Sequence, residues 1–175
     1  MKIDYKRLNS IADFMKENGL KLALVESMTA GYFSAIWSLQ VEAGDFLEGA
    51  IIAFSRQVKE TLLEVPSALI ETYTTESLIV TESMVMKLRE LIAADVYIGI
   101  TGLAYEGDHV HPTAEAGDVF LVLYYNKQTL YIPIKAKYNN AADVYMSAFN
   151  QSLQYLEEFL HNHSLYKSNC YENEL

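Results

Sequence analysis

A chain of 175 residues suits one domain, and at that size folding buries roughly 70% of the extended surface, so a core forms without disulfide or metal staples. The composition, 51% hydrophobic and 21% charged with 3 prolines and 8 glycines, excludes a disordered or fibrous protein. With 23 acidic against 13 basic residues, the formal net charge of −10 argues against diffuse attraction to nucleic acid or anionic lipid, both of which need a positive surface. An anionic small molecule would need local help from backbone amides or one well-placed cation.

Cys170 has no partner for an internal disulfide, which suits a reducing compartment. The N-terminus never develops the apolar run of a signal peptide, and runs such as residues 49–54 fall short of the roughly 20 residues that span a bilayer. A cytoplasmic protein without membrane or nucleic-acid partners is expected, as is a homo-oligomer.

Apolar Ile3, Leu8, Ile11, Ala12, Phe14 and Met15 recur at helical spacing, and Asn18-Gly19 stops that helix. Residues 21–25 read as a buried strand, residues 31–39 as a helix, and Ala43-Gly44-Asp45 breaks the pattern. Residues 46–54 read as a second buried strand. A helix over 56–63 closes at Val65-Pro66, because the residue before proline is pushed out of helical geometry. Thr74 and Thr75 are N-cap candidates for a helix from Glu76 to about Ala93, with Leu78, Val85, Leu88 and Ile92 on its apolar face.

Residues 95–101 make a third strand, followed by a polar loop over 102–117 long enough to be functional or mobile. Residues 119–125 and 129–136 pattern as a hairpin around Asn126-Lys127-Gln128. Residues 139–160 form the last helix, and 161–175 a polar, frayed tail. Strands and helices alternate before a closing hairpin. The order predicts one domain over 1–160, a three-layer α/β/α sandwich with a central mixed sheet.

Chemistry concentrates at strand ends. In Glu26-Ser27-Met28-Thr29-Ala30-Gly31 a buried strand stops and a helix begins, setting hydroxyls beside amides that can hold an oxyanion. The same residues also make an ordinary helix cap. Lys59 sits near the start of the next strand-to-helix turn, where burial would let it serve as base to a serine; a lone helical lysine is more often solvated. Thr101-Gly102 ends the third strand with another hydroxyl and a glycine. His109 and His111, with Asp108 and Glu115, are too few and too loosely spaced for a metal site, and no cofactor is expected.

Together these segments resemble the CinA C-terminal domain family, also called the nicotinamide-nucleotide amidase family. Its pattern runs Glu-Ser-x-Thr-Gly-Gly, then Ala-Tyr-Ser-Asn-x-x-Lys, Leu-Leu-Gly-Val-Pro, Thr-Gly-x-Ala-Gly-Pro-Gly-Gly and Val-Gly-Thr-Val. Here the counterparts are Glu26-Ser-Met-Thr-Ala-Gly31, Ala53-Phe-Ser-Arg-Gln-Val-Lys59, Leu62-Leu-Glu-Val-Pro66, Thr101-Gly-Leu-Ala-Tyr-Glu-Gly-Asp108 and Ala116-Gly-Asp-Val119. Order and spacing hold over residues 20–160.

The resemblance implies a serine amidase without metal, in which Ser27 attacks the carboxamide of nicotinamide mononucleotide and Lys59 takes its proton. Amides near Thr29, Ala30 and Gly31 would hold the oxyanion. Glu26, Phe54, Arg56, Thr101 and Gly102 would complete the substrate site. Several departures from the pattern bear on the site. Phe54 replaces a tyrosine whose hydroxyl would hold the lysine, which predicts slow turnover. Arg56 replaces an asparagine and is a candidate replacement cation; Tyr105-Glu106-Gly107-Asp108 replaces Gly-Pro-Gly-Gly; and Tyr138-Asn139-Asn140-Ala141 lacks a family arginine. A ligand-binding or scaffolding protein that has lost catalysis, or an amidase for a different small amide, are the alternatives.

Overall fold

The computed structural model describes residues 2–107, 111–136 and 139–170, with side chains as far as His163. Asp108, His109 and Tyr138 lie outside the described residues. Five strands form one sheet: β1 (Leu22–Glu26), β2 (Leu47–Ile52), β3 (Val96–Gly102), β4 (Asp118–Tyr125) and β5 (Gln128–Lys135). Their order is β2-β1-β3-β4-β5; β1 is parallel to both β2 and β3, and β4 is antiparallel to β3 and β5. The β4–β5 hairpin turns on Asn126 and Lys127, both with positive φ, which matches the turn to the twist of the strands.

Alternation along the strands sorts the core into two layers. On one face Leu22, Leu24, Ile98, Ile100 and Leu121 pack under α1 (Tyr5–Glu17), α2 (Tyr32–Ser38) and α6 (Ala141–Cys170). On the other, Ala23, Val25, Tyr97 and Val122 meet α5 (Leu78–Leu91) and Leu63, Val65 and Ile70. Those last residues belong to the segment carrying α3 (Arg56–Thr61) and α4 (Ser67–Tyr73). The three-layer α/β/α sandwich with a mixed sheet is the observed fold. Gly99 sets the close approach of α5: a Cβ there would stand 2.3 Å from Val85 Cγ2.

Four local readings change. Residues 46–54 hold an edge strand, β2, which bonds only β1 and is partly exposed along most of its length. Helix α4 was not legible, because Pro66 looked like a terminator and serves instead as the N-cap of a seven-residue helix. Thr74, at φ 67°, is the C-cap of α4, and Ser77 caps α5 by accepting from the Val80 amide at 3.3 Å. The last helix runs on to Cys170 where a polar tail was expected.

Rings tie α2 to α6 and so hold the turn that precedes α2. Phe33 and Phe149 meet edge-on at 5.0 Å, and Trp37 packs on Phe46 and Phe149 at 6.0 and 6.1 Å. Such pairs contribute about 0.5–1.5 kcal/mol each beyond area burial. Among the described residues no helix is long and apolar enough to cross a membrane.

Candidate active site

Three strand ends meet at one corner of the sheet. The Ser27 amide donates to the Ile100 carbonyl at 3.0 Å, locking the end of β1 to β3. The Ala53 amide donates to the Glu26 carbonyl at 2.8 Å, locking β1 to the end of β2. Ser55 then starts α3, its hydroxyl accepting from the Val58 amide at 3.2 Å. That start sends the Lys59 side chain back beneath the strand ends.

Lys59 is 1% exposed. Its Nζ donates to Ser27 Oγ at 2.8 Å, to the Ala53 carbonyl at 2.8 Å and to the Phe54 carbonyl at 3.1 Å. Burial lowers the amine from 10.5 to about 8, with the charge of Glu76 pulling the other way. When the amine is neutral, two hydrogens satisfy the two carbonyls and the lone pair is left for the Ser27 hydroxyl. The geometry is that of a serine with a base already in place.

Above Ser27 lies a cavity of about 150 Å³ whose walls include Met28, Phe54, Glu76 and Gly102. Leu103, Ala104, Tyr105 and Tyr145 complete them. Gly102, at φ 153°, makes this junction fit: a Cβ there would meet the Asp118 carbonyl at 2.4 Å and Met28 Sδ at 2.7 Å.

The family model for the CinA C-terminal domain matches residues 5–160 of this chain. The chain belongs to the CinA C-terminal domain family. The CinA-like protein of Mycobacterium avium is 37% identical over 89 residues, 51% of this chain and 20% of that protein. The CinA-like protein of Citrifermentans bemidjiense is 34% identical over 114 residues, 65% of this chain and 27% of that protein. The chain spans about a quarter of the length of the curated relatives it matches.

Crystal structures agree in fold. Competence damage-inducible protein A from Klebsiella pneumoniae superposes with a TM-score of 0.84 at 22% identity, over 91% of this chain and 98% of that one. A CinA superfamily protein from Enterobacter cloacae gives 0.82 at 25% identity, over 91% and 94%.

Within this CinA-type fold the sequence-predicted site residues separate into two groups. Ser27, Lys59, Phe54 and Gly102 converge at the cavity and its floor. Glu26 is not among the residues that line the cavity. Its Oε2 accepts from Thr29 Oγ1 at 2.7 Å and from the Gly31 and Phe33 amides at 3.0 and 3.2 Å, and Oε1 accepts from the Ser34 amide at 2.7 Å. The carboxylate caps α2 from inside and is fully buried. This removes Gly31 as an oxyanion donor, and Ala30 is spent on the Ser27 carbonyl at 3.0 Å. The Met28 and Thr29 amides make no hydrogen bond among the described residues.

Thr101 is buried against Thr81 Oγ1 at 2.9 Å, on the α5 side of the sheet and not on the cavity wall. Arg56 points to Glu60 and Glu71, at 2.8 and 3.3 Å, and is exposed. It lines no part of the cavity. Residue 54 touches Lys59 through its carbonyl, so the amine has no bonding direction left for a phenol. His111 Nε2 lies 2.9 Å from Glu76 Oε2, and Glu115 pairs instead with Lys135 at 3.1 Å. Glu76, Tyr105 and Tyr145 were missed as wall residues. A carboxylate before a capping serine reads locally as a helix start, and only the tertiary approach of α5 brings it to Ser27.

Proposed function

We propose that the chain is a serine amidase, acting on the carboxamide of nicotinamide mononucleotide or a near analogue. The observation that carries this reading is the buried 2.8 Å contact between Ser27 Oγ and Lys59 Nζ beneath a ligand-sized cavity. Neutral Lys59 takes the hydroxyl proton as Ser27 Oγ bonds to the amide carbon. The oxyanion is met by the Met28 and Thr29 amides, and donors of this kind are typically worth about 3 kcal/mol. The C–N bond then breaks, the proton passes from Lys59 to the departing nitrogen, and ammonia leaves. Water, activated by the same amine, hydrolyses the ester on Ser27 to the free acid. Both catalytic roles are filled by side chains, so the reading requires no metal.

A second reading, an amidase for a smaller amide, has the cavity volume in its favour. About 150 Å³ is the size of a cavity that accepts one benzene ring, so the ribose and phosphate of a nucleotide would lie outside it.

The test is ammonia release from nicotinamide mononucleotide by the purified chain and by Ser27→Ala. Release is expected from wild type and not from the variant, with melting temperatures close together because Glu26, not Ser27, caps α2. Equal release from both proteins would sink the reading.

A further inference from the structure

Glu76 is the carboxylate on the cavity wall, and two hydrogen bonds fix its orientation. Oε2 accepts from Thr75 Oγ1 at 2.6 Å and from His111 Nε2 at 2.9 Å. The His111 tautomer follows from its other nitrogen: Nδ1 accepts from the Thr113 and Ala114 amides at 3.2 and 2.9 Å. The single ring proton therefore sits on Nε2, and His111 is a neutral donor. It orients the carboxylate without cancelling its charge. Oε1 makes no hydrogen bond among the described residues.

The rest of the wall reinforces that sign. Phe54 and Tyr105 are each 57% exposed and line the cavity with Tyr145, and aromatic rings of this kind attract cations through their faces. Arg56, the nearest sequence candidate for binding an anion, is turned away toward Glu60 and Glu71. The overall charge of −10 adds to the same field.

We infer that Glu76 determines specificity at this cavity, selecting a small aromatic amide that carries a positive charge over its neutral counterpart. The inference rests on the reading of the cavity as the amide site. A cationic ring of about benzene size fills the volume, stacks on the aromatic wall and faces Oε1. A phosphate attached to it has to remain outside.

The test measures dissociation constants for two probes of one shape, the 1-methylnicotinamide cation and neutral nicotinamide, by calorimetry on wild type and Glu76→Gln. Glutamine keeps an oxygen for Thr75 and His111, removes the charge and replaces the other oxygen by an amide nitrogen. Wild type is expected to prefer the cation by about tenfold, the range of one partly screened charge contact. Glu76→Gln is expected to bring the ratio near one with the neutral probe unchanged. Equal affinities in wild type, no binding of either probe, or a preference that survives in Glu76→Gln would overturn it. Should the variant fail to fold, the wild-type ratio must collapse between low and high salt; a ratio indifferent to salt overturns it equally. Ammonia is assayed in parallel. A charge preference without ammonia release counts against the amidase reading alone.

Discussion

Phe54 holds Lys59 with its main chain and not with its ring: the carbonyl accepts from Nζ at 3.1 Å while the ring stands on the cavity wall. With Ser27 and the Ala53 carbonyl, this completes the three bonds an ammonium can donate. Phe54→Tyr is therefore expected to change kcat/KM for ammonia release by less than about tenfold, well short of the 10²–10⁴ that a positioned proton-handling group contributes. A larger gain would show that a phenol acts on the substrate side of the cavity.

The depressed lysine gives two pH signatures. If the neutral amine is the base, ammonia release climbs as pH rises through about 8 and levels above it. Stability runs the same way. The folded chain loses the Lys59 proton near 8 and the unfolded chain near 10.5, so between these values the unfolded state binds more protons and stability rises with pH. Below 8 the penalty is present in full. Against Lys59→Met, wild type should gain about 3 kcal/mol across that window, read from urea unfolding at its two ends. No relative gain would mean that the amine is not held out of water as its burial implies.

Glu26 separates a positioning role from a ligand-binding one. Its carboxylate accepts four hydrogen bonds, three from backbone amides at the start of α2. Glu26→Gln turns one accepting oxygen into a donor facing N–H groups. A loss of about 2 kcal/mol in unfolding free energy is expected, with turnover falling because the Ser27 turn loosens. A rise in KM at unchanged stability would instead place Glu26 against the substrate.

The strand ends were legible because their chemistry is local. A buried run that stops at Glu26-Ser27, and another that leads into Ser55 and Lys59, announce two strand-to-helix turns. A parallel sheet brings such turns together at one edge. The capping role of Glu26 was not legible, because a carboxylate beside a strand-end serine reads equally as a ligand group. Nothing local says that both its oxygens fold back onto the amides of residues 31, 33 and 34. Thr101 was misplaced for a related reason. Alternation along β3 sends it to the α5 face with Tyr97 and Gly99, and only the packing of α5 shows which face that is. Glu76 and His111 stand 35 positions apart, and their pairing is a product of packing alone.

The floor of the cavity and part of its wall come from different kinds of chain. Ser27 and Lys59 are fixed by strand-end hydrogen bonds within the sheet, whereas Leu103 to Tyr105 come from the loop after β3 and Glu76 from the connection before α5. A substitution in the wall can thus redraw which ligand enters without shifting the serine from its base. Such a division lets one ancestral reaction be retargeted by few mutations, each nearly neutral for folding. Divergence among proteins of this architecture should accordingly pool in those two connections and leave the strand ends alone.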